Sequence, residues 1–295
     1  MGGTKTFACV ILCWTLAACS RSHTVTVGSK NFTEQVVLGE IAAQHLERRL
    51  GEKIDRKLNL GGTLLVHQAL IHGQIDLYPE YTGTALTAVL KLPAVSDAKK
   101  VLDEVRAEYA KRWKIDWLDP LGFNNTFAMA VPGAAARGAR LETLTDAAHR
   151  SPPGGWALGA GYEFQQRPDG LEGLLKTYHL PLRGQPKIMD LGLLYKALEQ
   201  NQVDMIAANA TDGMLSVLDV KVLEDDKHYF PPYQAAFLLR EEACGNHPRL
   251  RQALAELSGK FSDRIMQKLN YEIDGKHRPV AEVAAEFLRE AGLSP

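Results

Sequence analysis

Cysteine is scarce in this sequence, and where it stands excludes more than its number does. Of four cysteines, Cys9, Cys13 and Cys19 crowd the N-terminus and only Cys244 lies in the remainder. No disulfide framework can then hold the folded part together once an N-terminal leader is removed. Long apolar runs are equally rare. The most continuous, Phe7 to Ala18 broken only by Thr15, is about a dozen residues, against the roughly 20 that a bilayer-spanning helix needs, which argues against a permanent transmembrane anchor. Neither sign of charge dominates, since 34 Lys and Arg face 35 Asp and Glu; there is no basic footprint for nucleic acid. Repeats and low-complexity tracts are missing. So are the chemical signatures H-E-x-x-H, G-x-S-x-G, G-x-x-x-x-G-K and C-x-x-C. His67 and His72 stand five apart, not at the i, i+4 spacing that shares one helix face. Catalysis, a metal site and a cofactor are therefore not expected.

What is present begins with a leader. Lys5 supplies a positive flank, the apolar run follows, and Leu16-Ala17-Ala18-Cys19 closes it with small residues, the pattern of a cleaved signal peptide over 1–18. The cysteine after Leu-Ala-Ala resembles the lipobox of bacterial lipoproteins, in which the thiol is acylated and becomes the first mature residue. Cys19 is thus the expected lipidation site and 19–23 the linker. The mature chain would be extracytoplasmic or periplasmic, held on a membrane surface by two or three acyl chains, because one alone binds only marginally. An ordinary secretory leader with an incidental Cys19 is the alternative.

The remainder reaches the roughly 250 residues beyond which single cores divide into domains. Strand and helix patterns alternate along it, which indicates an α/β fold. Val25 and Val27 mark a strand over 24–28, followed by a helix from an N-capping Thr33 to Leu50 whose Leu38, Ile41, Ala42, Leu46 and Leu50 keep helical spacing. A strand over 54–60 and a helix opened by Gly61-Gly62-Thr63 come next. Such units place ligands at the carboxyl ends of strands, and Lys30, Gly61 and Tyr81 are expected in those loops. Further strands are expected over 126–131, 156–160, 203–207, 221–223 and 235–240, and helices near 170–178, 191–200, 249–259, 262–271 and 280–291. The stretch 133–140 reads as a small-residue loop before a helix near Leu141. Two lobes follow: 24–128 and the return segment 233–295 form the first, 129–232 the second. Crossings near Phe127–Val131 and Gln234–Arg240 give a two-strand hinge able to close a cleft.

Six blocks then carry a resemblance: Gly28-Ser29-Lys30-Asn31-Phe32-Thr33-Glu34-Gln35, Glu80-Tyr81-Thr82-Gly83-Thr84, Asn124-Asn125-Thr126-Phe127, Glu163 through Gly170, Thr211-Asp212-Gly213 and Pro231-Pro232-Tyr233. In this order, from about Val25 to Leu288, they resemble the glycine betaine, carnitine and choline-binding proteins of osmoprotectant ABC importers. The resemblance implies a type II periplasmic-binding-protein fold, a small osmolyte as ligand, and the ABC permease and ATPase subunits as partners. A ligand-sensing lipoprotein signalling to a membrane partner, or an enzyme on the same fold, is the alternative.

A quaternary ammonium has no N–H to donate, so its recognition rests on aromatic faces. By the resemblance Tyr81, Phe127 and Tyr233 supply them, while Lys30, Thr84 and Arg167 hold a ligand carboxylate, Arg167 as a bidentate fork. Tyr78, Tyr195 and Tyr229 are expected as packing or rim residues, and Asp212 as a helix cap. Two positions depart from the family pattern. Phe127 stands where a Tyr is usual, and Asn209 or Ala208 where a cage Tyr is common two residues before Thr-Asp-Gly, so either one cage wall is missing and ligand binding is weakened or altered, or another residue rebuilds it.

Overall fold

The structure is a computed structural model that describes residues 24–293; the expected leader, Cys19 and linker lie outside the described residues. Two five-stranded sheets organise the chain. Their strands are β1 (Thr26–Gly28), β2 (Asp55–Lys57), β3 (Leu77–Tyr81), β4 (Ile115–Trp117), β5 (Phe127–Pro132), β6 (Leu158–Ala160), β7 (Lys187–Ile188), β8 (Met205–Asn209), β9 (Val220–Val222) and β10 (Ala235–Arg240). The first sheet has the order β2-β1-β3-β10-β4 and the second β7-β6-β8-β5-β9. The plan repeats. Three parallel strands lead each sheet, and the strand on which the chain enters after crossing from the other lobe, β10 or β5, packs antiparallel in fourth place. β5, β8 and β10 read as largely apolar runs because both faces are covered, with Ile206 and Leu238 fully buried, whereas the edge strand β2 is an exposed Asp-Arg-Lys.

The crossings sit slightly earlier than the sequence pattern places them. β5 and β10 lie wholly inside their sheets, and the connecting segments meet before them at an antiparallel bridge between Asn124 and Gln234. The Asn125 amide donates to the Tyr233 carbonyl at 3.1 Å, and the Tyr233 amide to Asn124 Oδ1 at 2.6 Å. This two-strand hinge joins the lobes.

The helix Thr33–Leu50 forms as expected and ends at Gly51, whose φ of 75° provides the left-handed stop. Thr33 is not its cap, however: Phe32 takes the boundary position with no side-chain capping bond, and the Thr33 hydroxyl reaches Asp274 instead. Tyr81 is the last residue of β3 rather than a loop residue. The loop expected over 133–140 is a short helix, Gly133–Ala139, which its alanines favour. The periodicity leaves β3, β4 and the helix Ala98–Trp113 unassigned; that helix is capped by Asp97, which accepts the Lys99 and Lys100 amides. His67 is buried edge-on between Tyr109 and Trp113, at ring distances of 5.4 and 4.5 Å, and burial lowers its pKa to about 4. It is a packing residue. Among the described residues no helix is long and apolar enough to cross a membrane.

Candidate functional site

Strand ends bring the site together. β1 runs into Lys30 and Phe32, β3 ends on Tyr81, β6 leads to the short helix Tyr162–Gln166, and β8 ends on Asn209. All of these carboxyl ends face the space between the lobes, as open α/β sheets require of their ligand sites. A cavity of about 1070 Å³ lies there, and Lys30, Tyr81, Thr84, Phe127, Arg167, Asn209 and Tyr233 all line it.

Each of the seven is held by its neighbours. Lys30 is 2 % exposed and donates to Glu80 at 2.5 Å and to the Thr63 hydroxyl at 3.1 Å. Its ammonium also stands 5.0 Å from the Tyr81 ring centre. Arg167 forks onto Asp169 at 2.9 and 2.6 Å, and its remaining arm crosses the cleft to the Thr84 hydroxyl at 2.9 Å. Phe127 and Tyr233 flank this guanidinium at 5.0 and 5.5 Å, and the Tyr233 hydroxyl bonds to Asp169. Tyr233 can approach because position 83 is glycine: a Cβ there would meet the Tyr233 ring and the Pro232 carbonyl oxygen at 2.8 Å.

The position of Asn209 carries no aromatic ring, and polar groups fill the surroundings. Its backbone amide donates to Asp212 at 3.0 Å, and the Tyr195 hydroxyl donates to the same carboxylate at 3.0 Å. Asp212 is therefore not the simple cap expected from its sequence, since its side chain makes no bond to the turn that it precedes. Burial, the largest influence, pushes its pKa up to about 6 against these two donors. Tyr195, expected as packing or rim, lines the cavity while only 6 % exposed. Tyr78 is a core residue bonded to Glu80 at 3.1 Å, and Tyr229 donates to the Gly170 carbonyl at 3.0 Å.

Sequence reasoning passed over Phe32, Glu34, Asn125, Tyr162 and Glu163, all of which line the cavity. Phe32 stacks near Tyr81, centroids 6.4 Å apart, and Tyr162 sits at the rim, 57 % exposed. Glu34 is the least anticipated. It is 2 % exposed and accepts from Tyr81 at 2.6 Å, Asn125 at 2.8 Å, Asn270 at 3.1 Å and the Thr211 hydroxyl. Burial raises its carboxyl pKa while the four donors oppose that shift. Thr211 follows β8 of the second sheet and Glu34 follows β1 of the first, so this cluster joins residues carried by both sheets. Glu34 and Glu163 both stood inside the quoted blocks, but a carboxylate in the first turn of a helix ordinarily reads as a solvated dipole partner.

The match to the OpuAC model, described as the substrate-binding domain of an ABC-type glycine betaine transport system, spans residues 23–290. The chain is 35% identical to the carnitine transport binding protein OpuCC of Listeria monocytogenes over 275 residues, covering 92% of this chain and 88% of that one. It is 36% identical over 270 residues to the ergothioneine transport permease/ergothioneine binding protein EgtU of Helicobacter pylori, covering 91% of this chain and 48% of EgtU, so it spans about half the length of that relative. A crystal structure of a glycine betaine/carnitine/choline ABC transporter superposes with a TM-score of 0.76 at 34% identity, covering 91% of this chain and 99% of that one. The architecture is the type II periplasmic-binding-protein fold. With a family match over nearly all the described residues and a two-lobed cleft at its centre, the chain belongs to the family of substrate-binding domains of ABC-type glycine betaine transport systems.

Proposed function

We propose that the chain is the extracytoplasmic receptor of an ABC importer and captures a small quaternary ammonium osmolyte by closing its lobes. The observation that carries this reading is the chemistry of the cavity wall. Phe32, Tyr81, Phe127, Tyr195 and Tyr233 line one interlobe cavity in which acidic residues outnumber Lys and Arg six to three. Aromatic faces in an acidic cleft suit a cation that cannot donate hydrogen bonds, at about 0.5–2 kcal/mol per face. Lys30, Thr84 and Arg167 would take the opposite, carboxylate end of a zwitterion. The relatives named for carnitine, glycine betaine and ergothioneine support the class, since each of those compounds joins a trimethylammonium group to a carboxylate. Asn209 in place of an aromatic makes the cage incomplete, so the chosen osmolyte is bound more weakly or differs from theirs.

In this reading 24–128 with 233–295 forms one lobe and 129–232 the other, an importer's permease and ATPase are the partners, and acylation at Cys19 holds the receptor on the membrane. Calorimetric titration of residues 20 to 295 with glycine betaine, choline, carnitine and ergothioneine tests the ligand class. No heat and no thermal shift with any of them removes it. Cys19→Ala releases the protein from the membrane fraction; continued acylation of that variant rules out the anchor.

A further inference from the structure

Glu163 holds a place that the mechanism above leaves for a ligand. Its carboxylate reaches from the second lobe to the start of the helix Thr63–Ile71, accepting the Thr63 amide at 2.5 Å and the Thr63 hydroxyl at 3.0 Å. Thr63 is also the partner of Lys30 at 3.1 Å, and Arg167 Nη1 stands 3.8 Å from Glu163. Gly62 leaves room for this approach: a Cβ there would meet Glu163 Oε1 at 2.8 Å. The carboxylate therefore sits among the two cations of the cleft and a helix N-terminus whose boundary residue, Gly62, has no side chain to cap it. Burial works against its charge, yet Lys30, the Thr63 amide and Arg167 outweigh burial and hold its pKa below the ordinary value.

The charges around this point already compensate each other. Glu80 pairs with Lys30 and Asp169 with Arg167, so with Glu163 beside Arg167 three carboxylates face two cations and the cluster carries one net negative charge. A ligand carboxylate arriving there meets a like charge at the place that it must occupy. A ligand with an ammonium head and no carboxylate meets no such competitor.

We propose that Glu163 is a built-in surrogate for a ligand carboxylate, which occupies the anion-binding end of the cleft and sets the selectivity between zwitterionic and purely cationic quaternary ammonium ligands. This rests on the quaternary ammonium reading of the cleft. A zwitterion must displace Glu163 as it binds, whereas a cation closes the lobes with the Glu163 contact intact. Glu163 is thus a selectivity residue, acting through the space and charge that it denies to the ligand.

The test compares glycine betaine and choline on the full mature chain, titrated calorimetrically in the wild type and in Glu163→Gln. Glutamine keeps the size and one acceptor but removes the charge. Any loss of interlobe contact weakens both ligands alike, so the ratio of their Kd values isolates the competition. The ratio is expected to move at least threefold toward glycine betaine in Glu163→Gln, and further the same way in Glu163→Ala. A smaller change, or a change toward choline, overturns the proposal while leaving the ligand class intact. If neither form binds either compound the proposal falls, and the ligand class falls with it only where carnitine and ergothioneine are silent as well.

Discussion

Thr211→Val separates closure from folding in this protein. The Thr211 hydroxyl, fully buried, donates to Glu34 across the cleft, while the other donors to Glu34 are Tyr81 and Asn270 of the first lobe and Asn125 of the hinge. Valine fills nearly the same volume without the hydroxyl, so the cost is one buried hydrogen bond to a carboxyl group, about 1–3 kcal/mol. In the proposed two-lobe division that bond joins one lobe to the other. The cost therefore falls on closure, and closure is part of binding. The osmolyte affinity should drop roughly 5- to 150-fold, while the ligand-free melting temperature changes little. The assay is calorimetric titration beside a ligand-free melt. Tyr81→Phe is the control, because it removes a bond to the same carboxyl within the first lobe and should lower the melting temperature itself. An affinity of Thr211→Val within twofold of wild type refutes the argument that Glu34 latches the lobes.

Three further outcomes are expected. Gly83→Ala places a methyl group against the Tyr233 ring and the Pro232 carbonyl oxygen at 2.8 Å, and overpacking of this kind should cost about 1–3 kcal/mol in chemical denaturation; an unchanged midpoint shows that the hinge yields. Asn209→Tyr supplies the absent aromatic wall, and choline affinity should rise by roughly two- to thirtyfold from one added cation–π face, with no gain showing that Tyr195 already fills that side. The pKa of Asp212 is raised to about 6 from its ordinary 3.8, so the folded protein retains this proton up to higher pH than the unfolded chain, and the carboxyl contributes stability that is lost as pH rises through about 6. The same titration should act on the proposed cation binding in the opposite sense, since the ionised form attracts an ammonium. Choline affinity should weaken as pH falls from 7.5 to 5 in the wild type, and Asp212→Asn should flatten that dependence.

The alternation of strands and helices was legible because burial imposes period 2 or 3.6 on apolar residues, and Val25, Val27 and the stripe from Leu38 to Leu46 follow those periods and are buried. The family blocks placed the seven candidate residues, and the fold brings all seven to one cavity. β3 was not legible because Pro79 at its centre and Glu80 beside it, fully buried to hold Lys30, break the apolar run. Glu34, Glu163 and Asp212 eluded the reading for a related reason. Each is a charged residue beside a helical turn, where local rules favour a cap or a solvated face, and only contacts a hundred or more positions away for Glu34 and Glu163, or burial beneath Tyr195 for Asp212, give them other work.

The sequence by itself determined the leader pattern, the α/β class, the two-lobed organisation and, through the family blocks, seven residues that line one cleft. Only the tertiary structure decided which charges in the cleft are already paired, that Glu34 gathers four donors from distant stretches, and that Glu163 reaches the Thr63 amide and hydroxyl. Periodicity and motif spacing record what each stretch does along its own chain. A cleft is made of distances between stretches, and those are set by how the two sheets meet.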